Sequence, residues 1–314
     1  MFRRLLVIAA ALVLYASTTY AQDATETPLA IDLTPPTLGD FQESTVSDIK
    51  LEDYPTLPEL TETAKIIFER GQIAGRNSHM FSKIGDCMTA ADYFLNAFSG
   101  DDYDLGEYTD LQPVVDYFST VEPGTNPFKT NAFSSPGLST DSGFTTSSVL
   151  DSTWANKDVC DANESPLACE FRVANPAYAL IMFGTNDVFY FEPGMFDYYL
   201  RMIVLETIQS DVVPVLYTFP VRPEFPEKSL LFNQIIAKIA QDYDLPLVNL
   251  VVALKKLPNQ GVNINDTIHM SLPENDTVAT FNDDTLQAGY TMRNLLTLQA
   301  LDIFMTGLDE QPAQ

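Results

Sequence analysis

Residues 177–183 read AYALIMF, an almost unbroken apolar run that passes directly into Gly184-Thr185-Asn186-Asp187. A segment apolar on both faces of its pleat suits a strand covered on both sides, and such strands belong to parallel sheets packed between helices. The C-terminal half of the chain keeps that rhythm. Residues 193–210 carry helical periodicity, 212–219 form a second buried strand, 226–243 a helix, 247–250 a third strand, and a helix at about 285–304 closes the domain. This alternation is an α/β fold. Right-handed crossovers then gather the polar residues at the strand C-termini on one rim of the sheet, where open α/β folds take their ligands.

Residues 81–90, FSKIGDCMTA, predict an earlier strand that ends at Gly85-Asp86 and turns into a helix at Cys87. A side chain at such a turn is presented in the open, among the unpaired N–H groups of a first helical turn. A thiol there is a candidate nucleophile. Gly-Asp before a helix serves equally as a turn and N-cap, and cysteine is among the most buried residue types, so the motif by itself fits either role.

The chain begins with Arg3 and Arg4, an apolar run from Leu5 to about Ala16, and small residues at Thr19 and Ala21, the pattern of a secretory signal peptide over residues 1–21. No later run reaches the ~20 apolar residues of a membrane span, so stable membrane insertion is not expected and the mature protein is read as secreted. Residues 22–59 are rich in Thr, Pro, Asp and Glu and read as a solvated lead segment, leaving one domain over 60–307 and a tail over 308–314. A net charge of −26 would repel nucleic acid and anionic membranes. Of three cysteines, Cys160 and Cys169 lie close together and Cys87 stands apart, which favours a 160–169 disulfide and a free Cys87. With only two histidines and no CxxC pair, a structural zinc site is not expected.

Residues 60–75 read as an amphipathic helix, 90–98 as a continuation of the helix after Cys87, 111–119 as a further helix and 130–134 as a short strand. His79 suits a local hydrogen-bonding role. The acidic stretch 101–107 lacks the glycine position and the terminal glutamate of an EF-hand and reads as a solvated loop. Residues 135–148, small and polar around Gly143, could let backbone approach a ligand or form a plain loop. Asp266-Thr267-Ile268-His269 spaces a carboxylate and an imidazole so that one can orient the other, or so that both cap a turn.

Taken in order, Gly85-Asp86-Cys87, Ser142-Gly143, Gly184-Thr185-Asn186-Asp187 and Asp266-Thr267-Ile268-His269 resemble the four sequence blocks of the SGNH/GDSL hydrolases. The resemblance spans about residues 76–306. It implies a three-layer α/β/α sandwich with a flavodoxin-like parallel sheet, and an ester hydrolase needing no metal or organic cofactor. It also implies roles: Cys87 at the nucleophile position, His269 as base, Asp266 as its partner, and an oxyanion hole from the Cys87 and Gly143 N–H groups and the Asn186 amide, with Asp86, Gly184 and Asp187 in support. The departure is Cys87, where the family pattern has serine. The expectation is therefore an exported esterase, deacetylase or lipase-like enzyme acting through a thiol on a small-molecule or acylated saccharide ester. The alternative is an attenuated binding protein that recognises acylated saccharide or cell-wall material.

Overall fold

The structure, a computed structural model, describes residues 32–121 and 130–309; the expected signal peptide, the first part of the lead segment and most of the tail lie outside them. Its centre is a four-stranded sheet in which β1 (Asn77–Gly85), β2 (Pro176–Met182), β3 (Val213–Tyr217) and β4 (Leu247–Val248) pair in that order, every pair parallel. All seven residues of β2 are buried, as the apolar run demands. Beyond β1, Gly85 makes a parallel bridge to Thr140, so the 135–148 loop enters along the outer edge of the sheet.

Helices cover both faces. On one lie α1 (Glu62–Ala74), α3 (Gln112–Phe118) and α9 (Gly289–Phe304), and Tyr178 of β2 sits among their aromatic rings, with Phe68, Phe118 and Phe304 at centroid distances of 5.6, 6.1 and 5.9 Å. The other face carries α4 (Pro166–Ala174) and the crossover helices α6 (Pro193–Gln209) and α7 (Pro226–Asp242), whose Phe196 and Phe232 stack at 4.2 Å. The three short helices, α2 (Cys87–Ala90), α5 (Asp187–Tyr190) and α8 (Leu250–Leu254), each come within a few residues of a strand end. This is the α/β, three-layer arrangement.

Four expectations are corrected. The helix begun at Cys87 ends at Ala90, because Ala91 turns to an extended conformation and Leu95 is left-handed; a 3₁₀ turn at Asn96–Ser99 replaces the continuation. Residues 130–134 form turns in which Asn131 Oδ1 accepts from Ser134 N and Oγ, so the chain folds back on itself and makes no strand. The third predicted strand stops at Val248, and α8 already begins at Leu250. Finally, the lead segment is not solvated throughout. Val46 and Leu51 are buried, and Asn249 donates through its side chain to the carbonyls of Leu51 and Tyr54 at 2.7 and 3.2 Å and through its backbone N–H to the Thr56 carbonyl at 3.0 Å. A few apolar residues, Asn249, and Gln234, whose Nε2 donates to the Ile49 carbonyl at 2.8 Å, hold an otherwise polar strap against the end of β4.

One longer helix escaped the sequence reading, while the expected 160–169 disulfide is present. Helix α4 hides in the polar, proline-containing stretch that carries the cysteines, started by Ser165, whose side chain accepts from Ala168 N, with Pro166 in its first turn. Cys160 and Cys169 are bonded, the sulfur atoms 2.02 Å apart, which ties the preceding loop to that helix. Among the described residues no helix is long and apolar enough to cross a membrane.

Candidate active site

At the C-terminal end of β1 the chain needs glycine. A Cβ on Gly85 would stand 2.4 Å from both the Met182 carbonyl oxygen and Thr89 Oγ1, so only glycine lets β1 reach β2 and turn at once into α2. Asp86 is the N-cap, its Oδ1 accepting from Met88 N at 3.1 Å, and Cys87 becomes the first residue of the helix. The thiol is free and buried, and it reaches a cavity of about 220 Å³ that Tyr93, Tyr290, Asp266 and His269 also line. The structure thus brings Cys87, Asp266 and His269 to one cavity.

The histidine is held by its own loop. Val262 and Met270 form an antiparallel bridge, Asn263 N donates to the His269 carbonyl at 2.9 Å, and Asp266 Oδ1 accepts from Ile268 N at 3.1 Å. Asp266 Oδ2 then meets His269 Nδ1 at 2.6 Å. Partial burial pushes the Asp266 carboxyl up, but the bonds from His269 and the Ile268 N–H outweigh it, and its pKa falls below the ordinary aspartate value. An ionised carboxylate can only accept, so the hydrogen is on Nδ1 and Nε2 is left as the basic nitrogen.

Thiol activation is the difficult part. Burial, and after it the neighbouring Asp86 and Asp266 charges, pushes the Cys87 pKa far above its ordinary value, and the Met88 N–H opposes this only in part. Alone, the helix N-terminus does not make a thiolate here.

Asn186 comes after β2 and draws close to Gly143: its Nδ2 donates to the Ser142 and Phe144 carbonyls at 3.1 and 2.8 Å, bracketing the glycine. Gly143 N donates to Asp141 Oδ1 at 3.0 Å. The two expected oxyanion donors are brought together, each with a protein acceptor. Gly184 has φ +136°, and a Cβ there would lie 2.2 Å from the Phe219 ring, so the backbone conformation and the packing under this turn both require glycine. Asp187 is wholly buried and its Oδ1 accepts from Thr146 N and Oγ1 at 2.8 and 2.6 Å, clamping the 135–148 loop to α5. Burial raises the pKa of Asp187 to about 6, against the bonds from Thr146; burial and then the Asp187 charge raise that of Asp86 to about 7.

Three residues that sequence reasoning did not single out tie these blocks together. Arg222, just past β3, donates to the Thr185 carbonyl at 3.1 Å and pairs with Glu224, which in turn accepts from the Thr267 hydroxyl. A short chain of contacts therefore links the loop of Asn186 to the loop of His269. Arg293 of α9, fully buried, donates to the Met88 carbonyl at 2.8 Å and Thr89 Oγ1 at 3.0 Å, with its guanidinium 3.6 Å from the Phe94 ring centroid. The available signal for Arg222 was its place after a buried strand; for Arg293 it was the single basic residue of the last helix. His79 takes no part in this chemistry: its Nδ1 bonds the Tyr117 carbonyl at 3.0 Å and its ring stacks on that tyrosine.

No family model matches the chain, and no curated protein matches it. Among solved structures it is similar to the psychrotrophic esterase EstA from Pseudoalteromonas sp., at 14% identity and a TM-score of 0.42, covering 73% of this chain and 100% of that one. It is similar to the acetylxylan esterase Axe2 from Geobacillus stearothermophilus at 16% identity and a TM-score of 0.43, covering 72% and 94%. A GDSL-like lipase from Bacteroides thetaiotaomicron gives 15% identity and a TM-score of 0.39, covering 77% and 98%.

Proposed function

We propose that this chain is an exported ester hydrolase of the SGNH/GDSL type that acts through Cys87. The observation that carries the reading is the convergence of a free thiol at a helix start and an Asp-oriented imidazole on one cavity. In this mechanism His269 Nε2 takes the thiol proton as the sulfur bonds to the ester carbonyl carbon. The imidazolium formed is stabilised by Asp266. Collapse of the tetrahedral intermediate expels the alcohol, which receives that proton, and water then hydrolyses the acyl-thioester with His269 again as base. Proton transfer concerted with attack suits a thiol whose free ionisation is unfavourable, since no standing thiolate is needed. The Cys87 and Gly143 N–H groups and the Asn186 amide are the oxyanion donors in this proposal, with Gly143 and Asn186 released from their present acceptors when an ester enters. The substrate is a small-molecule or acylated saccharide ester. A disulfide fits a protein of an oxidising compartment.

The test is purified mature protein against short-chain aryl esters and thioesters, with Cys87→Ala as the blank; equal rates for the two would sink the proposal. One observation favours a second reading, a binding protein without turnover: the Asn186 and Gly143 donors are already engaged by protein acceptors. Saturable binding of an acylated saccharide with no turnover would select it.

A further inference from the structure

Apart from the cavity of Cys87, a second one of about 310 Å³ opens beside the 135–148 loop, where Thr140, Asp141, Phe144, Trp154 and Asn156 line it. Its size falls among small-molecule sites, which hold about 300–1,000 Å³. It shares residues with the proposed oxyanion loop. Asp141 Oδ1 accepts from Gly143 N at 3.0 Å and the Phe144 carbonyl accepts from Asn186 Nδ2 at 2.8 Å, so a ligand in this cavity rests on the turn that carries Gly143.

One wall is the indole of Trp154, the only tryptophan in the chain, 56% exposed and nearly perpendicular to the buried Phe144 ring at a centroid distance of 6.2 Å. A single exposed aromatic residue means little by itself. This one is held from below. Asp151 caps its turn by accepting from Thr153 N at 2.8 Å, Ala155 beside it is buried with Cys160, Cys169 and Val173, and the Asn156 carbonyl accepts from Cys160 N at 2.8 Å. The disulfide to α4 therefore fixes the backbone under the ring, and that backbone gives up little freedom when a ligand covers the indole.

Among the described residues Trp154 Nε1 and Asn156 Nδ2 have no protein acceptor, and Asp141 Oδ2 has no donor. Two donors, one acceptor and an aromatic face call for a ligand that both gives and takes hydrogen bonds and shows one apolar side. A pyranose meets all three demands: its ring C–H groups lie on the indole, while its hydroxyls donate to the carboxylate and accept from the N–H groups. A cation would suit Asp141 and the indole face but offers nothing to the N–H groups. An anion would meet Asp141 and a chain of net charge −26. We propose that this cavity is a subsite for a neutral saccharide, with one pyranose ring stacked on Trp154. The inference deepens the proposed function, on which it rests for that sugar being the one that bears the ester, but its test needs no ester turnover.

The lone tryptophan is its own reporter. Wild type is titrated with cellotriose, xylotriose and triacetylchitotriose, followed by Trp154 emission and by calorimetry, with choline as the cationic control. At least one triose should bind saturably, with a Kd of about 1 mM or below, and shift the emission. Trp154→Ala should weaken that binding by about tenfold or more in calorimetry, while Trp154→Phe, which keeps a stacking face, should recover most of it. Binding is read apart from turnover, so a wild type that binds the triose but hydrolyses no ester removes the proposed reaction and leaves the subsite standing. No saturable triose binding, binding of choline alone, or a Trp154→Ala variant that binds the triose as tightly as wild type overturns the proposal.

Discussion

His269 Nδ1 lies 2.6 Å from Asp266 Oδ2, three residues back in the same loop, while the carboxylate's other oxygen holds the Ile268 N–H. One side chain thus shapes the loop and fixes the tautomer. His269→Ala should lower both alkylation of Cys87 and any turnover, by about 10²–10⁴-fold for turnover if the imidazole is the base. Asp266→Asn should give a smaller loss of the same kind, since the amide can still hold the loop but offers no charge to the imidazolium. Unchanged alkylation and turnover in His269→Ala would mean that the pair only closes a turn.

The turn after β2 yields a stability prediction. Gly184→Ala places a methyl 2.2 Å from a ring carbon of Phe219 and forces a side chain onto φ +136°. Strain and overpacking together should cost about 3 kcal/mol or more. Chemical denaturation of the variant checks it; a loss within experimental error would mean that the turn can re-form without a left-handed residue.

The disulfide joins residues nine apart, and on the chain-entropy model so short a loop adds roughly 2–3 kcal/mol. A Cys160→Ser, Cys169→Ser double variant should therefore lose about that much stability while Cys87 stays alkylatable. Peptide mapping of the unreduced wild type should show the 160–169 bridge, and a Cys87 disulfide in its place would remove the nucleophile assignment.

How much of the fold and site was legible in the sequence depended on whether the information was local. The β2 run announced itself because burial on both faces leaves no polar positions; the Gly-Asp-Cys and Asp-Thr-Ile-His blocks could be picked out because a turn or a paired carboxylate and imidazole needs residues a few positions apart, but each by itself fitted a structural role as well. The links between blocks were not legible. Arg222 reaches Thr185 across 37 positions and Arg293 reaches Met88 across 205, and no local pattern encodes such a pairing. The strap at residues 46–57 was misread for a related reason: its composition is that of a solvated segment, and its anchor, Asn249, lies 198 positions from Leu51 and 195 from Tyr54. The engaged state of Asn186 was likewise invisible, since sequence gives a donor's identity but not its present acceptor.

The final prediction concerns what sulfur at position 87 does to substrate choice. In the tetrahedral intermediate a thiolate and an alkoxide compete to leave, and the weaker base departs more readily. Cysteine has an ordinary pKa near ~8.5, far below that of an alkyl alcohol, so an alkyl ester is attacked and then tends to revert. An aryl ester or a thioester carries a leaving group that competes with the thiolate, and the wild type should turn these over faster than alkyl esters. Cys87→Ser reverses the contest, because a serine alkoxide leaves no better than the substrate's own alcohol. His269 Nε2 remains as base for the hydroxyl, and the N–H groups of residue 87 and Gly143 and the Asn186 amide are unchanged. The variant should gain on alkyl esters relative to wild type, measured as kcat/KM on matched alkyl and aryl esters of one acyl group. Serine also fills less of the cavity between Tyr93 and Tyr290 than sulfur does, so the gain depends on an oxygen reaching the carbonyl from the same backbone. A folded Cys87→Ser protein inert on every ester, beside a wild type equally inert, would show that the surrounding site is not competent for acyl transfer, and the binding-protein reading would replace the enzyme.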